Sequence, residues 1–359
     1  MSWLLAFVGF ALLVILHELG HFGVAKWVGM RVERFSLFFP PTIAKKKIGE
    51  TEYALGATPL GGYVKITGMN PDEDLPDEVR TRAYYAQPVW KRIAVISAGP
   101  IVNLILAFLL LFVFFFLIGR ETSTKEVGPI EPGFPAVGVL QEGDRLIRVD
   151  GRGGDQRAFA DRVATHECPN ATPVKGCRAE TPVTLLIDRG GQRRTIRLVP
   201  EYDPRVERTR LGFAYAPGPR EDLSFGNALN LTATQFWNIT RATLELPARL
   251  IDSEQRKEIS GVVGSYEATR QTILNDVADA VAILAIISLS LAIVNLFPFL
   301  PLDGGHIFWA IVEKVRRRPV PFSVMERAGV VGFMLVILIF LVGLSNDIDR
   351  LSGEGFQVR

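Results

Sequence analysis

Residues 3–25 would sit comfortably in a bilayer were it not for three side chains, His17, Glu18 and His21. Trp3 to Leu16 carries no charge, the run HELGH follows, and apolar residues continue to Trp27. A helix needs about 20 apolar residues to cross the hydrocarbon core, and ionisable groups within such a span are unfavourable and usually functional. His17 and His21, four apart, share one helix face. Two imidazoles with a carboxylate after the first form the HExxH donor set of a zinc hydrolase: the imidazoles hold the ion and the carboxylate handles the proton. HExxH is short and arises by chance in soluble helices, so its weight here comes from its apolar setting.

The first apolar segment runs over about 3–25, and three more follow at about 93–118, 277–299 and 328–344, the last being the shortest. The first is not read as a cleaved signal peptide, because it lacks an N-terminal Lys or Arg and a small-residue cleavage site. Lys26, Arg31, Arg34, Lys45, Lys46 and Lys47, then Lys91 and Arg92, lie between the first two segments. Lys314, Arg316, Arg317, Arg318 and Arg327 lie between the last two. Basic loops stay in the cytosol, so both termini and the long 120–275 segment are expected outside. The fold expected is a polytopic α-helical membrane protein with four transmembrane helices. With 48% apolar residues and a net charge of +2, the partner implied is the lipid bilayer. Nucleic acid is excluded, since it requires a clustered basic face.

Four regions are expected: an N-terminal membrane half over 1–122, a β-rich domain over 123–202, an amphipathic linker region over 203–275 and a C-terminal membrane half over 276–359. Residues 31–90 form a cytosolic loop with strand-like pieces at Val32–Phe39 and Tyr53–Ile66, interrupted by Lys45–Lys47. Gly56, Gly61 and Gly62 predict bulges or close approach by another backbone. The loop is either a solvated hairpin or a membrane-associated sheet whose edge pairs with an extended peptide. Residues 70–82 are acidic and expected to be an exposed linker. In the β-rich domain a short strand follows the Gly143-Asp144 turn and closes at Asp150-Gly151. Val183–Ile187 and Thr195–Val199 form a hairpin. Cys168 and Cys177 lie in an insertion at 166–180, as a disulfide if that region is extracytoplasmic or as two free thiols; His166 is expected to be a surface histidine. Residues 221–258 have helical spacing, for a helix on the outer membrane surface or against the β-rich domain.

A catalytic zinc takes three protein ligands and keeps an open position for water. HExxH supplies two, and Asp303 is the candidate third because it lies where the third apolar segment ends. From Asn295 to Gly305 that segment cannot be an ordinary span, since Pro298 and Pro301 break the helical ladder. Broken backbone at membrane depth is tolerated only where protein covers it or it lines a wet cavity. One shared metal explains both unfavourable features.

HELGH in the first segment, with Asn295-x-x-Pro298 and Leu302-Asp303-Gly304 in the third, resembles the site-2 protease family of intramembrane zinc metalloproteases. Gly61-Gly62-Tyr63-Val64-Lys65 and Ser97-Ala-Gly-Pro-Ile-Val-Asn103 fit the same pattern. Ser260-Gly261 fits too, although Val262 stands where Pro is common. The run from Pro132 through Asp150-Gly151 resembles a PDZ domain. The chain is most similar to the bacterial branch that includes the regulator of sigma-E protease, several members of which carry two PDZ domains where this chain shows one.

The resemblance implies one Zn2+ per chain on His17, His21 and Asp303, with Glu18 as the general base that takes a proton from the attacking water and later hands one to the leaving amine. It implies that Asn295, Pro298 and the Gly61-Gly62-Tyr63 strand edge meet an unwound substrate; the plainer role for Asn295 is a helix–helix hydrogen bond. Asn103 is a weaker candidate of the same kind, and His306 reads as a polar cap. The implied substrates are transmembrane proteins such as anti-sigma factors, or remnant signal peptides, in the bacterial inner membrane, with the active site near the cytosolic face. The PDZ-like domain would bind peptide tails or act as a size gate. The competing readings are an inactive PDZ scaffold, which has no use for charges in lipid, and a cation transporter, which would show internal repeats.

Overall fold

Without proline, the N-terminal run forms one 26-residue helix, α1 (Ser2–Trp27). Gly29 ends it at φ +85°, and Met30 N–H returns to the Ala25 carbonyl, a left-handed terminus that glycine supplies without strain. The structure is a computed structural model. It describes residues 2–58, 61–70, 73–170, 173–174, 176–204, 206–251 and 278–352, together with 256, 264 and 266. Ser260 and Gly261 lie outside the described residues. The chain divides into two compact units, Met1–Ile118 with Leu223–Val358, and Gly119–Asp222.

In the first unit α1 is followed by a four-stranded sheet, β1 (Val32–Leu37), β2 (Phe39–Ile48), β3 (Thr51–Thr58) and β4 (Tyr63–Ile66), in the order β2-β3-β1-β4. The β1–β3 pair is parallel, so the loop is a sheet and not a plain hairpin. The Lys45–Lys47 run does not interrupt a strand but lies within β2, paired to Glu52–Ala54. The acidic 70–82 segment is partly helical at α2 (Asp77–Arg80). The turn between β2 and β3 is fastened to the end of α1: Glu50 accepts from Lys26 at 2.8 Å and from both Arg82 nitrogens at 2.8 Å. Arg82 and Lys26 hold its carboxyl down at about 2.

Helix α3 (Val89–Val113) begins after Pro88 and ends in a π turn at Phe114–Ile118. The beginning of α3, the end of α1 and the sheet bury one apolar cluster that includes Ala25, Met30, Val32, Ile66, Val95 and Ile96. In the second unit a sheet of order β11-β5-β6-β7-β8 joins β5 (Arg120–Ile130), β6 (Arg145–Val149), β7 (Val183–Arg189), β8 (Gln192–Leu198) and β11 (Phe213–Glu221). Helix α4 (Gln156–Ala164) and a small pair, β9 (Glu201–Asp203) and β10 (Arg208–Arg210), complete it. The unit extends beyond residue 202 because β11 pairs along β5. Gly190 and Gly191 form the two-residue β7–β8 turn with positive φ at both, as a twisted hairpin prefers. Cys168 and Cys177 are joined as a disulfide. His166 is not a free surface histidine: its side chain is 14% exposed, with Nε2 2.9 Å from Asp150 and Nδ1 2.8 Å from the Thr181 hydroxyl.

The chain returns to the first unit as α5 (Phe225–Leu244), α6 (Leu246–Ile251), α7 (Asp279–Asn295), α8 (Asp303–Arg316) and α9 (Phe322–Ser352). Helix α5 packs on α3 and α7, with Phe236 and Ile239 against Leu104, Ala107, Leu289 and Ile293. Among the described residues, three stretches are long and apolar enough to cross a membrane, Phe7–Trp27, Val89–Ile118 and Phe322–Asp349; α7 is as apolar but has only 17 residues. The third apolar segment stops as a helix at Asn295 because the prolines that follow cannot extend it. The fourth, expected to be the shortest, lies within the longest helix among the described residues.

The Glu50 clasp makes a prediction. Glu50→Gln should raise tryptic cleavage at Lys45–Lys47 about 2–5-fold, the effect of losing ~0.5–1 kcal/mol of partly exposed pairing. The carboxyl's folded pKa lies below its ordinary 4.5, so the contribution is complete above that value and fades as pH falls towards about 2. Hydrogen exchange of the turn, corrected for intrinsic rate, should rise across that window in the natural protein and not in the variant.

Candidate metal centre

Helix α1 turns His17 and His21 into the protein, where they are 6% and 7% exposed. They face α3, whose backbone comes unusually near because two glycines meet there. A Cβ on Gly20 would stand 2.7 Å from the Ala98 carbonyl, and one on Gly99 would stand 2.3 Å from His21 Nε2 and 2.7 Å from His17 Nε2. His21 Nδ1 donates to the Val95 carbonyl at 2.8 Å, which turns a bare Nε2 inward.

Asp303 is the first residue of α8, where a negative charge also suits the helix dipole. It reaches this position because the turn after α7 is tightly folded. Gly304 lies against the Leu296 carbonyl and Gly305 against the Leu300 amide, at 2.2 and 2.4 Å from where their Cβ atoms would be. Asp303 Oδ2 stands 3.2 Å from His17 Nε2 and 3.4 Å from His21 Nε2, and the two ring nitrogens are 3.2 Å apart.

These three atoms fit a metal. Ligands about 2.0–2.1 Å from a tetrahedral zinc lie about 3.3 Å from one another, and the three separations bracket that value. Asp303 Oδ2 is buried with no hydrogen bond of proper geometry among the described residues, although both rings are within 3.4 Å. Such an atom is costly unless something else binds it. Among the described residues this is the one His/Cys/Asp/Glu group that could hold an ion.

Glu18 lies outside the ligand triangle but close enough to all three members to interact with each electrostatically. Its neighbour on the other side is the glycine pair before β4. A Cβ on Gly62 would come within 2.9 Å of Glu18 Cγ and within 2.9 Å of the Ser36 carbonyl. Gly61 similarly abuts the Phe39 ring, at 2.7 Å. Tyr63 then opens β4, its ring stacked on Phe39 with centroids 6.2 Å apart and its hydroxyl accepting from Arg34. β4 pairs with β1 alone among the described strands.

Asn295 closes α7, half-buried, and Pro298 is exposed on the turn that follows; neither belongs to the ligand group. Asn103 is wholly buried, its side-chain amide has no hydrogen-bond partner among the described residues, and its backbone carbonyl accepts from the Ser288 hydroxyl. His306, one turn after Asp303, is likewise outside the group. Sequence reasoning assigned no role to Gly99 or to the Val95 carbonyl. Gly99 left a trace, a glycine inside an apolar span; a backbone acceptor leaves none.

Comparison with known proteins is consistent with this geometry. The model of peptidase family M50 matches residues 5–339. A Rhizobium meliloti protein named "Putative zinc metalloprotease" is 30% identical over 367 residues, covering 95% of each chain. A Nostoc protein with the same descriptor is 31% identical over 359 residues, covering 96% of this chain and 93% of its own. The Caulobacter vibrioides protein "Metalloprotease MmpA" is 29% identical over 386 residues, covering 95% and 93%.

Gly99→Ala should weaken zinc binding at least about tenfold, as loss of a support to metal ligands does, because its methyl must displace both rings. Gly23→Ala on α1, with nothing within 4 Å of its Cβ position, should leave affinity unchanged. Chelator competition on the purified proteins measures both.

Proposed function

Because the chain belongs to peptidase family M50, we propose that this membrane zinc metalloprotease cleaves peptide bonds inside the transmembrane segments of single-span proteins. One observation carries the reading: His17, His21 and Asp303 converge to 3.2–3.4 Å on helices whose surroundings are apolar. Hydrolytic chemistry set at that depth acts on what shares that depth. Trp27 and Trp90, 80% and 59% exposed at adjoining helix ends, suit an interfacial belt on one side of the bilayer.

Zinc bound to this triad supplies Lewis-acid polarisation of the scissile carbonyl and a water acidified to a pKa of about 7. Glu18, beside the triad and not in it, takes the proton from the attacking water and delivers one to the departing amine. A helical substrate hides its carbonyls in its own hydrogen bonds, so it must be unwound before cleavage. The outer edge of β4 replaces those bonds, and Gly61 and Gly62 let that edge come within reach of Glu18. Asn295 and the broken turn at Pro298 supply further polar partners for the extended segment.

The remaining assignments follow from charge pattern and resemblance. Four spans, with α7 as the third, place the basic loops and the metal near the cytosol of a bacterial inner membrane. The second unit then lies outside, where a disulfide such as Cys168–Cys177 persists. We read that unit as PDZ-like, taking peptide tails or limiting the size of what enters. Anti-sigma factors and remnant signal peptides are the substrate classes proposed.

Glu18→Gln should keep its zinc and lose cleavage of a single-span reporter by about 10²–10⁴-fold. Asp303→Ala should lose both. Retention of zinc and cleavage by Asp303→Ala would falsify the triad. The Glu18→Gln protein should also co-purify with uncut single-span proteins, which mass spectrometry would identify; enrichment of soluble proteins alone would contradict intramembrane cleavage.

A further inference from the structure

One ion pair in the first unit, its arginine buried and its glutamate about a quarter exposed, has no part in the chemistry above. Arg92 lies on α3, three residues before the carbonyl that orients His21, and is 7% exposed. Its guanidinium meets Glu313 of α8 through two parallel bonds, Nη1 to Oε2 at 2.8 Å and Nη2 to Oε1 at 2.9 Å. The Tyr84 ring lies 5.8 Å from the guanidinium. Glu313 is ten residues after Asp303 on the same helix, about 15 Å along its axis.

The position of the pair matters more than its strength. Helix α1 is registered on α3 by His21 and Val95, by Gly20 and by Gly99. The remaining ligand is on α8, whose start is fixed to the broken turn by Gly304 and Gly305. Ile307 adds an apolar contact to the cluster beneath α3, and such contacts are non-directional. Among the described ion pairs, Arg92–Glu313 is the one that joins α8 to α3. A two-bond fork fixes direction as well as distance. It therefore sets both the slide and the rotation of α8, and a rigid helix carries that setting to Asp303. The demand is strict, because ligand distances tolerate about ±0.2 Å. A pair whose arginine is buried and whose glutamate is part-exposed usually adds little net stability over apolar residues of equal volume, so stability alone gives no reason to place one here.

We propose that Arg92 and Glu313 are positioning residues for the metal, holding Asp303 beside His17 and His21 before zinc arrives. This rests on the zinc reading above. The test measures, on the full-length protein in detergent, zinc affinity by chelator competition and the melting temperature of the metal-free form. Arg92→Met and Glu313→Gln should each weaken zinc at least about tenfold, the lower range for groups that orient metal ligands. Arg92→Lys, which keeps the charge without the fork, should fall between them and the natural protein. The double variant Arg92→Met/Glu313→Leu separates positioning from packing. It should regain metal-free stability and still bind zinc as weakly as the single variants.

Zinc affinity within twofold of natural in Glu313→Gln and Arg92→Lys would overturn the proposal. So would recovery of zinc affinity by the apolar double variant, since packing alone would then set α8. Absence of zinc binding by the natural protein would instead overturn the zinc reading beneath it.

Discussion

Three electron-pair donors held within 3.4 Å of one another, in surroundings that otherwise exclude charge, are the constraint from which the architecture of the first unit follows. Two imidazole nitrogens and a carboxylate oxygen so placed attract a cation. Each element around them serves to bring them close or to keep other atoms away. Helix α1 supplies two donors four residues apart, α8 supplies the third at its first residue, and α3 supplies the wall against which both are set.

Glycine is the means of that approach. Gly20 and Gly99 let α1 and α3 touch at the level of the imidazoles, and Gly62 lets the sheet reach Glu18. Gly304 and Gly305 fold α8 back on the turn that precedes it, and Gly332 on α9 admits the Leu300 carbonyl at 1.8 Å from its Cβ position. None of these needs an unusual backbone angle; each is a place where a methyl group has no room. Directional polar contacts then fix what glycine has permitted: Glu50 fastens the sheet to α1, and Arg92–Glu313 fastens α8 to α3. Apolar packing fills the space between them but has no preferred direction.

The second unit is built on different terms. Its sheet buries Val127, Leu146, Val149, Leu185 and Ile187 against Phe159 and Val163 of α4, a core of the kind water-soluble domains use. His166, read as a surface residue, turned out to join the Asp150 turn to Thr181, because a ring with two nitrogens can satisfy two loop segments at once. Nothing in the neighbouring residues announces such a bridge.

Local sequence determined what depends on local chemistry. The apolar runs declared helices able to span a membrane, HELGH declared two imidazoles on one helical face with a carboxylate beside them, and two prolines declared a break that left Asp303 near them. The Gly-Gly hairpin turn was legible for the same reason, whereas the structure chose between a Cys168–Cys177 disulfide and two free thiols. Tertiary structure decided everything that requires a second segment. It decided that Lys45–Lys47 lie within a strand, because Glu52 to Ala54 pair with them. It decided that α5 lies on α3 and α7, because phenylalanines far apart in the chain meet there. It also decided that Gly99 and the Val95 carbonyl lie against the two imidazoles. A side chain carries its chemistry wherever it goes, whereas a close approach or a shared hydrogen bond is a property of two places in the chain and is written in neither alone.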